Sequence, residues 1–279
     1  MPPSPNPHQP SPSSSRSRLT SSFPADSASP LLSAFTSFLT IAIHSLLYHR
    51  GLYPEQSFLA ARAFNLAVRQ SRHPGLCAWI NDAVDAVSAR LRTGSVSRIA
   101  VVVHGPPPQV VVRERWIFDV DRFPNSWGTA AEIRAARAPP SHQLDPDEQL
   151  GQDADDPEKI NWADIHEALR AALQRLAFAA QAEPKLPQGC TFTLAVELRE
   201  DAEAPIGHPQ LWIPSEAHLQ PPTKERPDQG EALGGASTKP IRSVRAKPLF
   251  FECWLEKGLE TPDEITQSNS GTTYSASSS

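Results

Sequence analysis

Three places in the chain combine residue types and spacings that could do chemistry. His73 and Cys77 fall one helical turn apart, close enough to share a metal ion, but no further ligand stands near to complete a tetrahedral set. Asp153, Asp155 and Asp156 offer clustered oxygen ligands, without the spacing or the closing bidentate glutamate of a calcium loop. Cys190 has the chemistry of a nucleophile. It sits in an alternating strand with no sequence cue to a base, which predicts a packed thiol. No G-x-S-x-G, Walker-type loop, dinucleotide fingerprint or H-E-x-x-H occurs. The densest acidic residues lie in a proline-rich stretch where nothing would desolvate and tune them. The expectation is a protein that binds rather than catalyses, with no cofactor and no metal.

The elements that must position these residues follow from periodicity. Residues 31–48 are the most apolar segment. Their polar members Ser33, Thr36, Ser37, Thr40, His44 and Tyr48 recur every three or four positions, a narrow stripe on an otherwise apolar helix. A membrane span would lack that stripe, so a central buried helix is predicted, with His44 a satisfied core histidine. A turn at Gly51-Leu52-Tyr53-Pro54 leads into a mixed stretch through Phe58, Phe64, Leu66 and Val68 that suits a short hairpin. After His73-Pro74, Leu76, Ile80, Ala83, Val84, Val87 and Leu91 mark a second helix, with Pro74 in its first turn and Gly94 at its stop. Strands are predicted over 99–103 and 110–120. A third helix is predicted over 160–180, with Ile165, Leu169, Ala172, Leu173, Leu176 and Ala180 inward and Glu167, Arg170 and Gln174 outward.

Most of the functional signal lies near the C-terminus. An alternating strand over 189–198 runs into an irregular stretch holding Leu211-Trp212-Ile213-Pro214, and a second alternating strand occupies 249–255. A strand, an aromatic-bearing connector and another strand suit the holding of a polypeptide. Composition bounds the rest. Residues 1–29 and 258–279 read as disordered tails, and 138–158 and 218–238 as disordered insertions, because they bury too little apolar surface to offset ordering entropy. About 230 residues remain for one core. The net charge is −5, which does not favour charge-driven DNA binding, and the basic cluster Lys239, Arg242, Arg245 and Lys247 reads as a solvated loop face. Three cysteines without C-x-x-C spacing and no apolar opening run fit a reduced, intracellular protein.

The chain resembles the HORMA-domain family, in its branch of accessory, non-catalytic subunits of translesion DNA polymerase zeta. The resemblance is carried by FLTIAIHSLLYHRGLYPEQSF, FNLAVRQSRHPGLCAWI, VSRIAVVVHG with ERWIFDV, GCTFTLAVELRE, LWIP and KPLFFECWLEKG, spanning roughly residues 31–257. It implies an α+β fold: a single HORMA domain over 30–257, with a largely antiparallel sheet, three main helices on one face and a C-terminal safety belt over 201–257. The belt would pin a proline-containing peptide of the polymerase zeta catalytic subunit against the sheet, with Phe64, Trp212 and Ile213 at the peptide. At Phe64 the family often carries tyrosine, so a hydroxyl contact is missing here. Glu252 and Trp254, sharing one face of the last strand, would meet the C-terminal domain of a deoxycytidyl-transferase translesion polymerase, although glutamine and tyrosine are commoner there. Arg170 would mediate HORMA–HORMA contact. The resemblance further implies a nuclear adaptor without direct nucleic-acid or membrane contact; the alternative is a spindle-checkpoint-type HORMA protein capturing peptides of mitotic regulators.

Overall fold

The structure, a computed structural model, describes residues 25–107, 112–123, 127, 160–200, 202–203, 205 and 237–257. Helix α1 (Ala25–His49) is the hub. It begins ahead of the predicted start, so residues 25–29, expected in the tail, are helical; Ala28, Leu31 and Leu32 are all buried and carry the helix past Pro30. Its phenylalanines interlock edge-on with the sheet: Phe38 meets Phe118 at 6.0 Å, and Phe35 meets Phe251 at 5.3 Å. The polar stripe emerges at Ser33 and Ser37, which are exposed, and closes at His44, which is buried. The His44 Nδ1 accepts the Ser71 amide at 3.4 Å, and burial lowers its pKa, so the ring is a neutral core group.

Strands β1 (Phe58–Ala63) and β2 (Leu66–Ser71) pair as a hairpin closed by Phe64 and Asn65, both at positive φ. Two consecutive left-handed residues match a type I′ turn, whose twist suits a tight hairpin. Helix α2 (Pro74–Arg92) starts at the predicted proline and is capped by His73, whose Nδ1 accepts the Leu76 amide. Cys77 donates its thiol to the Ser71 carbonyl. The metal-spaced pair is therefore occupied in fixing a helix start.

The main sheet has β3 (Val96–His104), β4 (Val112–Asp119), β5 (Thr191–Leu198), β6 (Ser237–Ala246) and β7 (Leu249–Lys257), ordered β5-β3-β4-β7-β6 and antiparallel throughout. Helix α3 (Trp162–Ala182) buries the six positions its periodicity predicts. The three helices share one core with Val101, Trp116, Phe118, Phe251 and Leu255 from one sheet face. The fold is thus α+β, as expected.

Two boundaries need correction. The basic cluster at 239–247 is not a loop: Lys239, Arg242 and Arg245 lie in β6, and Lys247 turns the chain into β7. Residues 237–238, placed in the 218–238 insertion, open that strand. The alternation is hidden by a register break between Pro240 and Arg242, after which Val244 and Ala246 resume the inward side. The insertion at 138–158, the rest of 218–238, and the tail over 258–279 lie outside the described residues.

Arg50, just past α1, locks the layers together. Its guanidinium grips Glu114 of β4 through Nε at 2.9 Å and Nη2 at 2.7 Å. It also donates to the carbonyls of Ala180, Glu183 and Pro184 at the end of α3, while the Trp116 indole N–H donates to the same Glu114 carboxylate. Arg50 therefore satisfies helix-end carbonyls that would otherwise be orphaned. Both charged side chains are buried, so removing either would strand the other.

Candidate peptide-binding edge

The two borders of the sheet are β5 and β6. Beyond β5, no strand among the described residues pairs with its outer side, so alternate backbone N–H and C=O groups point away from the sheet. The strand reads Thr-Phe-Thr-Leu-Ala-Val-Glu-Leu, with one charge, and none of its residues is buried. Such an edge can accept another strand, because main-chain pairing is available and little repels it. Gly189, at φ +85°, makes the turn into it, a conformation only glycine adopts without strain.

Residues 199–236 connect β5 to β6 at the opposite border, so the connection has to pass from one side of the five-stranded sheet to the other. Trp212 and Ile213, expected at the peptide, lie on this connection and outside the described residues. Where the connection reaches β6, Lys239 Nζ meets Glu183 Oε1 at 2.7 Å, and Lys257 Nζ, at the end of β7, meets Glu183 Oε2 at 3.1 Å. Burial pushes the Glu183 carboxyl up, but hydrogen bonds and charge from the two lysines outweigh it and hold the group below the usual carboxylate range.

A cavity of about 490 Å³ opens beside β5, lined by Tyr53, His73, Gly75, Leu76, Trp79 and residues 191–193. Phe192 meets the Trp79 ring edge-on at 5.1 Å and the Tyr53 ring at 6.4 Å. The sequence reading named Tyr53, His73 and Leu76 in other roles and did not bring these residues together as one wall. The signal that could have found them was the joint presence of the Tyr53-Pro54 turn, the His73-Pro74-Gly75-Leu76 helix start and the Gly-Cys-Thr-Phe-Thr segment, which converge here.

Phe64 occupies the β1–β2 turn at φ 47°, its ring edge-on to His166 of α3 at 5.7 Å. A bulky residue at positive φ costs roughly 1–2 kcal/mol, so this ring is held at the turn by its surroundings. Glu252 and Trp254 lie on the sheet face away from the helices, as the alternation predicts. Glu252 is exposed and accepts the Ser243 hydroxyl. Trp254 is half-buried: its indole N–H donates to Glu256 at 2.8 Å, and the Arg98 guanidinium sits 5.6 Å from its ring centroid. A lattice of ion pairs surrounds it, Arg98 with Asp119 and Glu197, and Arg115 with Glu197 and Glu256. Arg170 projects from the outer side of α3, paired with Glu167 at 2.6 Å, and Phe178 two turns further on is 67% exposed. None of Cys77, Cys190 and Cys253 forms a disulfide; burial pushes the Cys253 thiol far up, which makes it unreactive. Cys190 is half-buried against the main core.

Known proteins share this architecture. The chain is 31% identical over 223 residues to the DNA polymerase zeta processivity subunit of Schizosaccharomyces pombe, covering 80% of this chain and 91% of the relative. The protein of the same name from Arabidopsis thaliana is 26% identical over 219 residues, covering 78% and 82%. Among solved structures, a chain of the mitotic checkpoint complex superposes with a TM-score of 0.56 at 16% identity, covering 82% of this chain and 99% of that one, a likeness of fold. The HORMA domain family matches residues 32–239, and on that match, together with the S. pombe relative, the chain belongs to the HORMA domain family.

Proposed function

We propose that this HORMA protein is the non-catalytic adaptor subunit of a DNA polymerase zeta, working in translesion synthesis in the nucleus. In this reading a proline-containing peptide of the catalytic subunit adds as a strand to β5, beneath the connection that leaves β5 for the far border. The observation that carries the reading is the open β5 edge combined with that crossing connection. The names of the S. pombe and A. thaliana relatives support the choice of polymerase. Trp212 and Ile213 belong to the proposed belt, and Phe64 to the proposed peptide channel. The face bearing Glu252 and Trp254 is assigned to a second translesion polymerase, and the surface around Arg170 to a second HORMA domain, where exposed Phe178 adds apolar contact area.

The test is binding of the purified chain to a labelled proline-containing peptide from its own polymerase zeta catalytic subunit. Tight binding with slow release, weakened by Trp212→Ala, is expected, since release would require the crossing connection to move. No binding to that peptide, with binding to a peptide of a mitotic regulator, would replace this reading with the checkpoint one. For the second face, Trp254→Ala is expected to weaken binding of the deoxycytidyl-transferase C-terminal domain about tenfold or more, as loss of a central aromatic anchor does.

A further inference from the structure

Carboxylates neutralise arginines at several places in the fold: Arg50 pairs with Glu114, Arg98 with Asp119 and Glu197, and Arg115 with Glu197 and Glu256. The β1–β2 hairpin is different. Arg62 and Arg69 are exposed on one of its faces, diagonal to each other across the pairs Arg62↔Ala67 and Ala60↔Arg69. Arg72, just past β2, is exposed as well. Among the described residues none of the three meets a carboxylate. Arg62 donates to the Asn65 side chain at 3.3 Å, and the Arg69 guanidinium lies 4.8 Å from the Tyr48 ring centroid. No Asp or Glu occurs between Gln56 and Asn81; Glu55 and Asp82 bracket the stretch. Diagonal neighbours on a two-stranded ribbon stand roughly 7–8 Å apart, so the like charges of Arg62 and Arg69 repel. Their field reaches His49, whose pKa is lowered by burial and then by the charge of Arg69. In a chain of net charge −5, such a face calls for an anionic occupant.

The chain carries one. Seven of the fourteen residues from 145 to 158 are Asp or Glu, and none is basic. This segment lies outside the described residues, but the fold fixes where it ends. The described chain resumes at Ile160, α3 starts at Trp162, and His166 of α3 lies 5.7 Å from the Phe64 ring at the hairpin tip. Fourteen extended residues reach at most about 46 Å. The strand from Asn65 to Arg72 covers about 23 Å, so all three arginines are in range. Each exposed ion pair is weak, but a short tether holds the two charges together at an effective concentration on the order of millimolar.

We infer that the basic face of the β1–β2 hairpin, formed by Arg62, Arg69 and Arg72, is a docking surface for the chain's own acidic segment 145–158. Docking relieves the repulsion between the arginines and ties the hairpin to the start of α3 from outside the core. The contact uses neither the β5 edge nor the connection over 199–236. Because its ion pairs are solvated, it weakens as the screening length falls from about 10 Å at 0.1 M salt to about 3 Å at 1 M.

The test puts a benzoylphenylalanine in place of Leu150, in the middle of the acidic segment, in the otherwise unmodified full-length chain. After irradiation at low salt, the main cross-links within one chain are expected to map to residues 58–73. Their yield should fall about fivefold or more at 1 M salt. It should fall as far when Arg62→Gln, Arg69→Gln and Arg72→Gln are combined, with an unchanged melting temperature, since all three side chains are exposed. Cross-links that map elsewhere, or that ignore both salt and the arginine changes, overturn the docking. Cross-linked dimers on a denaturing gel overturn it too, giving the face to a second copy. So does binding of labelled duplex DNA that needs the three arginines but is equal in the parent and in a chain whose seven acids are replaced by amides. That outcome gives the face to nucleic acid.

Discussion

At one border of the sheet, β6 carries Pro240, a register break beside it and the outward charge of Arg245, with Lys247 just past its end; at the other, β5 carries a single glutamate, and the one register shift in its pairing lies at its far end, opposite Val96 and Arg98. Proline, bulges and lysine or arginine are the devices by which sheets discourage stray pairing. The β6 border has all three, whereas β5 itself has neither a proline nor a basic residue. On the proposed reading the undefended border is the one that receives the peptide strand, and the difference between borders is more informative than either alone. It also recasts the basic cluster: residues that read in one dimension as a solvated loop face lie, in three, along the guarded edge.

The most drastic way to break this comparison is to remove what both borders depend on. Arg50→Ala should leave Glu114 buried and unpaired and lower the unfolding free energy by about 3–5 kcal/mol in a urea titration, taking both edges with it. Next come prolines within β5. Neighbouring residues of an antiparallel edge strand alternate between inward and outward amides, so of Thr193→Pro and Leu194→Pro one strikes each kind. The outward one should weaken peptide binding about a hundredfold with a nearly unchanged melting temperature, and the inward one should lower stability by ~3 kcal/mol. If both leave peptide affinity intact, β5 is not the docking edge. A third change erases the contrast from the other side. Pro240→Val with Arg245→Thr should turn β6 into a second open edge, visible as self-association in sedimentation.

The smallest effect sharpens the picture at the hinge between connection and sheet. Glu183→Gln should cost about 1 kcal/mol at neutral pH, because Lys239 and Lys257 are partly solvated, and should speed amide exchange in β6 more than in β5. Since the Glu183 pKa is lowered in the folded state, its contribution is complete above the unfolded value of ~4.3 and disappears as pH falls through the folded value. The stability gap between the parent and Glu183→Gln should therefore stay constant at neutral pH and close only at the acid end.

Much of this was legible in one dimension, for identifiable reasons. All six inward positions of α3 and the alternation of β7 follow from burial against a single core, which writes its period directly into sequence. The β6 strand was illegible because Pro240 and the adjacent bulge erase the period of two. The Arg50–Glu114 grip joins residues far apart in the chain, and an arginine and a glutamate at such separation resemble surface charges. The peptide-side cavity failed to show for the same reason: Tyr53, Trp79 and Phe192 each fit a local element, and only the fold brings them into one wall.

The order of strands has a consequence for how the chain is made. In the finished sheet Ile117 of β4 is registered against Trp254 of β7, a residue synthesised long after it. Until the C-terminal hairpin exists, β4 stands as a naked border of Trp116, Ile117 and Phe118, without a proline and with its one register shift back at Arg113, away from that stretch. A messenger that stops before residue 237 should therefore yield an aggregate rather than a merely weakened binder, so that truncation of the last strands is a problem of protein quality control before it is one of partner recognition.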